Sequence, residues 1–180
     1  MYDSMIGKRW DLHPSEVRLA KAVAEARFRS NREAGVANSK VGEQSDDYTD
    51  LNGFGAELAF CHLFRCCPDF TIEPRSSQKG EDTKSDTILV TGHTVDVKQT
   101  KYLTGRLLAV PWKNYKSVDL FALMVGEVPS FAFKGFMSSG DLVHPSRLTD
   151  LGHGPTYAAD QYELGEFGKL LISKGIEQPL

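Results

Sequence analysis

Apolar residues recur at helical spacing in the first third of the chain and at strand spacing in the middle. Val17, Ala20, Ala24 and Phe28 form one stripe, which Leu19, Val23 and Ala26 widen. It predicts a helix from Pro14 to Glu33, opened by His13-Pro14-Ser15-Glu16 and stopped near Gly35. Arg18, Lys21, Arg29 and Arg32 share another face of that helix, with Glu25 between them. Residues 37–50 are polar and aperiodic and read as a loop. A second helix is predicted over about residues 52–65, ended by Cys66-Cys67-Pro68.

Residues 74–85 are polar and read as a mobile loop. Alternation then predicts strands over residues 87–90, 94–100, 107–110, 120–125 and 130–137. Thr91-Gly92-His93 turns the first pair, and a Gly-Glu-Val-Pro turn joins the last pair. After Gly140 the pattern weakens, and a short helix is predicted near residues 162–173, stopping at Gly175. The order helix, helix, strand cluster, helix predicts one α/β domain over residues 1–180 with a mixed sheet. Its parts are a basic helix at 14–33 and a core at about 51–137.

Composition narrows the class. A chain of 180 residues with 41% hydrophobic and 25% charged residues is neither disordered nor fibrous. The longest apolar run, residues 118–125, is interrupted by Asp119 and is too short to span a bilayer. The first residues show no secretory pattern, and three cysteines without zinc-like spacing suit a reducing cytosol. A net charge of −3 excludes coating of nucleic acid by bulk charge. Locally the balance differs: Arg18, Lys21, Arg27, Arg29 and Arg32 face a single acid, Glu25. Lys98, Lys101, Arg106, Lys113 and Lys116 span a segment with no acid at all.

The chemistry centres on a hairpin. Val95 and Val97 point to one face of the predicted strand while Asp96 and Lys98 point to the other. Asp86, just before the partner strand, reaches the same end of the sheet. Two carboxylates and an ammonium around one point suit a hard divalent cation and its bound water. Asp-x-Lys alone carries little weight, and Asp82-Thr83-Lys84, in a stretch without apolar alternation, reads as a decoy. Glu57 shares a helix face with Phe60, Cys61 and Phe64, a costly place unless it is paired or binds metal. The alternative is a solvated position at the stripe's edge. Gly53 and Gly55 beside it allow a close backbone approach.

Three segments carry a family resemblance: Gly55-Ala56-Glu57-Leu58-Ala59, Ser85-Asp86-Thr87-Ile88-Leu89-Val90, and Val95-Asp96-Val97-Lys98-Gln99-Thr100. Together they resemble the PD-(D/E)XK nucleases, the restriction-endonuclease-like superfamily, and more loosely its small phage-encoded members. Ser85 stands where the family has proline. The resemblance implies an α/β fold with a central mixed β-sheet flanked by helices. It implies Glu57, Asp86, Asp96 and Lys98 as catalytic residues. Asp86, Asp96, Glu57 and the Val97 carbonyl would be metal ligands, with Mg²⁺ as cofactor and Mn²⁺ as its substitute. Lys98 would orient or activate the attacking water. The expected activity is a metal-dependent DNA nuclease, endo or exo, in a bacterial or phage-infected cytosol, with a homodimer as one implied assembly and no membrane partner. The competing reading is a non-catalytic module that grips nucleic acid or a protein on the same scaffold.

Contacts to nucleic acid are expected from Arg18, Lys21, Arg29 and Arg32, and from Gln99, Lys101, Lys113 and Lys116. Each has a bland reading as a solvated side chain. Trp112 reads as core, Cys61 as a small hydrophobe, and His62, His93 and His153 lack ligand spacing.

Overall fold

The computed structural model describes residues 4–36, 45–74 and 84–166. Helix α1 (Pro14–Glu33) occupies its predicted span. The His13 ring accepts from the Ser15 N–H at 3.3 Å while the Glu16 carboxylate accepts from the His13 N–H at 2.8 Å. This reciprocal capping fixes the helix start. Ala20 and Ala24 are buried, but Leu19 is exposed, so the apolar stripe is narrower than expected.

Helix α2 runs from Asp46 to Phe64, starting well before residue 52. Polar residues 45–50 of the loop predicted over 37–50 are the helix's cap and opening turn. The Ser45 hydroxyl accepts from the Tyr48 N–H at 3.3 Å, and Asp46 and Asp47 suit the positive helix end. Every residue from Phe54 to Cys61 is buried, because α1 packs on one side of α2 and the sheet on the other. A helix enclosed on both sides has no solvent face to show periodicity. Gly55 makes a close approach, though to side chains rather than to a backbone: a Cβ there would lie 2.8 Å from Val128 Cγ2. Gly53 faces open space instead.

The central sheet has the order β1-β6-β5-β3-β2. Its strands are β1 (Arg9–Asp11), β2 (Thr87–Ile88), β3 (Thr94–Thr100), β5 (Leu120–Glu127) and β6 (Ser130–Ser138). Strands β3 and β5 are parallel, with Val95 opposite Leu120 and Lys98 opposite Leu123; the other pairs are antiparallel. A parallel pair needs a long crossover, and residues 101–119 make it. That crossover carries β4 (Leu107–Ala109) into a second sheet of order β4-β8-β7, with β7 (Leu148–Asp150) and β8 (Pro155–Ala159). A one-turn helix α3 (Ser139–Leu142) links the two sheets.

Alternation along β5 sorts two cores. Leu120, Ala122 and Met124 pack toward α2 with Val95, Val97 and a cluster of Phe60, Phe64, Phe133 and Phe136. Phe121, Leu123 and Val125 pack toward the second sheet with Leu107, Tyr115, Leu142 and Ala159. The fold is therefore mixed α/β around a mixed sheet, with long helices on one face only. The expectation of flanking helices fails on the other face, where the small sheet takes their place. Near the C-terminus the predicted helix is replaced over residues 162–166 by a 3₁₀ turn, Gln161–Glu163, followed by Gly165 bridging to Phe136. Residues 167–173 of that prediction lie outside the described residues, as do 37–44 and 75–83 of the two predicted loops.

Candidate active site

Strand β3 presents Asp96 and Lys98 on the face shared with Phe121 and Leu123, looking toward the second sheet. Lys98 Nζ donates to Asp96 Oδ1, and Asp96 as a residue is only 2% exposed. Asp86 is half-buried at the mouth of β2 and locked against β3 at two points. Its N–H donates to the Val95 carbonyl at 2.9 Å, and its Oδ2 accepts the Val97 N–H at 2.6 Å. The N–H and C=O of one strand residue point to the same edge, so the Val97 carbonyl faces the Asp86 side. Tyr115, from the crossover, packs edge-on to Phe121 at 5.1 Å and donates its hydroxyl to the Val110 carbonyl at 3.2 Å.

The electrostatics bind these groups into one unit. Burial, then the carboxylates of Glu57 and Asp96, hold Asp86 well above the usual carboxylate range, against the pull of Lys98 and the Val97 N–H. Burial alone would depress Lys98, but Asp96, Asp86 and Tyr115 outweigh it and the ammonium is strengthened. Burial pushes the Tyr115 phenol up to about 12, so it stays neutral at neutral pH.

A raised carboxyl pKa means that the native state binds the Asp86 proton more tightly than the unfolded chain does. Stability from this group is complete below the unfolded value and is lost as pH rises through the native one. In chelator at pH 7, Asp86→Asn is therefore expected to raise the melting temperature by about 2–4 °C, corresponding to ~1 kcal/mol. The gain should vanish near pH 4. Thermal melts of both proteins across pH 4–8 check the sign.

Glu57 has a partner the sequence reading did not assign. Both its carboxylate oxygens accept from Arg27 Nη1, at 3.4 and 3.3 Å, with side chains 14% (Arg27) and 9% (Glu57) exposed. Arg27 also donates to the carbonyls of Thr71 (3.1 Å) and Asp69 (2.6 Å), and its guanidinium lies 4.7 Å from the centre of the Phe54 ring. The Asp69 N–H in turn donates to the Asp86 carbonyl at 3.1 Å. Arg27 thus ties α1, α2 and the segment beside Asp86 together. The clue was legible: Arg27 stands at helical offsets of seven and three from Ala20 and Ala24, on the buried stripe. Of the alternatives for Glu57, the solvated edge is corrected: the carboxylate is buried and paired. Among the described residues, no group of three or more Asp, Glu, His or Cys side chains is placed to hold a metal ion. The site's oxygen donors are Asp86, Asp96 and the Val97 carbonyl.

Residues 3–154 match the model of DUF5843, a family of unknown function. The chain belongs to that family. No curated protein and no solved structure matches it. The DUF5843 match takes in the whole central sheet and every residue of the site just described; β8 lies beyond it.

The predicted nucleic-acid contacts of this DUF5843 chain separate into two groups. Arg18, Lys21, Arg29 and Arg32 are exposed on α1, which packs on α2, whereas Asp96 and Lys98 face the far side of the sheet. Two of these cations are engaged: Lys21 with Glu25 at 4.0 Å, and Arg32 with Asp46 and over the Phe28 ring at 4.9 Å. The α1 face is therefore not brought to the site. Lys113 and Lys116 flank Tyr115 and belong to the crossover segment beside Lys98. Trp112, half-buried, has Lys113 Nζ 5.4 Å from its ring centre. Gln99 is a structural tie, donating to the Gly126 carbonyl at 2.6 Å. Lys101 is exposed beside the rings of Tyr48 and Tyr102.

Of the remaining candidates, Asp82 lies outside the described residues, and Lys84 pairs with Glu73 at 3.4 Å. His62 pairs with Glu16 and stacks on Trp10 at 4.5 Å, a structural use. Cys61 is buried as expected, but it is not isolated. Its thiol shares a hydrogen bond with Cys66, which lowers Cys66 to about 7 and raises Cys61. Among the described residues no helix is long and apolar enough to cross a membrane.

Proposed function

We propose that the protein is a Mg²⁺-dependent nuclease of the restriction-endonuclease-like fold, hydrolysing phosphodiester bonds of DNA. The observation that carries this reading is the second oxygen of Asp96. Oδ2 is buried and has no hydrogen-bond partner among the described residues, while Oδ1 holds Lys98. A buried carboxylate oxygen without a donor is costly, and a hard cation removes that cost. Asp86, raised by burial and then by the acids around it, would be stabilised in its charged form by the same cation. Asp86, Asp96 and the Val97 carbonyl supply the hard oxygens Mg²⁺ prefers, and that ion keeps several waters besides its protein ligands. When bound, the ion supplies Lewis acidity at a phosphate oxygen and a water of lowered pKa.

The chain's own residues do the rest. Lys98, held protonated by Asp96 and Asp86, places positive charge where the pentavalent phosphate gathers negative charge. Asp96 orients that ammonium, and Asp86 is kept in register by the β3 backbone. Glu57 acts on Asp86 through its field, from a position set by Arg27.

Supercoiled plasmid or single-stranded circular DNA incubated with the protein and Mg²⁺ should be cut, and EDTA should stop it. Absence of cleavage of both substrates, with Mg²⁺ and with Mn²⁺, overturns the reading. Binding without cleavage would favour the non-catalytic module instead. Lys98→Ala should slow cleavage by on the order of 10², as loss of one transition-state donor does. Calorimetric Mg²⁺ affinity should be retained or tightened, since the substitution removes a cation from beside Asp96. Equal loss of rate and metal affinity would contradict this division of roles.

A further inference from the structure

Beyond the catalytic strand the chain exposes apolar side chains on a well-anchored surface. Strand β3 ends at Thr100, and residues 102–105 form a tight turn in which the Gly105 N–H donates to the Tyr102 carbonyl at 2.9 Å. Tyr102 is 61% exposed and Leu103 80%. Tyr162, in the 3₁₀ turn Gln161–Glu163, is 86% exposed. Gln161 Nε2 donates to the carbonyls of Leu103 (2.8 Å) and Gly105 (2.9 Å), which sets Tyr162 beside the turn. Arg106 paired with Asp160 at 2.6 Å fastens the same two segments.

One exposed apolar residue needs no explanation. Three on two adjoining segments latched by hydrogen bonds put exposed apolar side chains on neighbouring stretches of backbone. The charge there is equally specific: Lys101 Nζ lies 5.4 Å from the Tyr102 ring centre and 5.7 Å from that of Tyr48. Lys98 is only four residues from Tyr102, so at full extension the two are no more than about 14 Å apart along the chain. Exposed aromatics interleaved with lysines, adjoining a phosphate-directed lysine, fit a strand whose bases are unstacked from a partner. In an intact duplex the bases are stacked on one another and their faces are unavailable to such rings.

We propose that Tyr102, Leu103 and Tyr162 form a stacking platform for unpaired bases, and that the substrate is presented to β3 as single-stranded nucleic acid. This deepens the nuclease reading and rests on it. The rings would take base faces without sequence preference, and Lys101 would take a backbone phosphate.

The test measures binding with Ca²⁺ replacing Mg²⁺, using a labelled oligo-dT of about 15 nucleotides, an abasic strand of equal length, and a blunt duplex. The wild-type protein should prefer oligo-dT to both others. Tyr102→Ala combined with Tyr162→Ala should weaken oligo-dT binding at least tenfold, a loss that two stacking contacts readily exceed. Affinity for the abasic strand and the duplex should stay unchanged, and Tyr102→Phe with Tyr162→Phe should restore oligo-dT binding. Oligo-dT affinity unchanged in the alanine pair overturns the platform, even if plasmid cleavage with Mg²⁺ upholds the nuclease. Loss of a dimer in sedimentation without loss of oligo-dT binding would overturn it in favour of a self-interface. If the wild-type protein binds none of the three probes and cuts neither plasmid nor single-stranded circular DNA, the nuclease reading falls with it.

Discussion

Asp96→Asn is expected to reduce Mg²⁺-dependent cleavage to background while the protein stays folded. Asparagine keeps the volume and one carbonyl oxygen but removes the charge that both Lys98 and a cation use. The amide still presents a buried polar atom where the unpartnered Oδ2 stood, and it leaves the Lys98 ammonium without its anion. Thermal stability in chelator should therefore fall modestly, because Lys98 loses its anion but is part-exposed and keeps Asp86 nearby, while rate and metal affinity collapse. Plasmid conversion rates and Mn²⁺ calorimetry on matched preparations read both quantities. A folded Asp96→Asn protein cutting at the wild-type rate would remove the site from β3 altogether.

Arg27→Met should be the most damaging substitution for stability. It leaves the Glu57 carboxylate buried without its guanidinium, and it also removes the tie to the Asp69 and Thr71 carbonyls. Breaking a buried ion pair from one side costs about 3–5 kcal/mol. For a domain of this size that corresponds to roughly 10 °C in melting temperature. Glu57→Gln should cost less, because Arg27 keeps two backbone acceptors and the Phe54 ring. The double variant should recover part of the Arg27→Met loss, since neither charge is then stranded. Denaturant melts of the four proteins give the coupling directly. An Arg27→Met protein within 1 kcal/mol of wild type would show that solvent reaches Glu57.

How far the chain reveals itself varies with the kind of information each element needs. Helix α1 and strand β3 lie where their local patterns put them: a capping box with a buried stripe, and an alternating run after a glycine turn. The convergence of Asp86 with Asp96 and Lys98 was legible for the same reason, since a hairpin's register follows from its turn. Helix α2 was half legible. Its cap residues read as loop because Ser45, Asp46 and Asp47 are polar, and its periodicity is erased by burial on both sides. Strands β1 and β7 are three residues long, too short for alternation to register. Periodicity states which side of a segment is buried and is silent about what covers it. The stacking of α1 on α2 alone brought Arg27 to Glu57 across thirty residues of chain. The crossover after β3 set Tyr115 against Lys98, and the second sheet decided that Asp96 would be enclosed. Those contacts depend on how layers meet in space, and no local pattern encodes that.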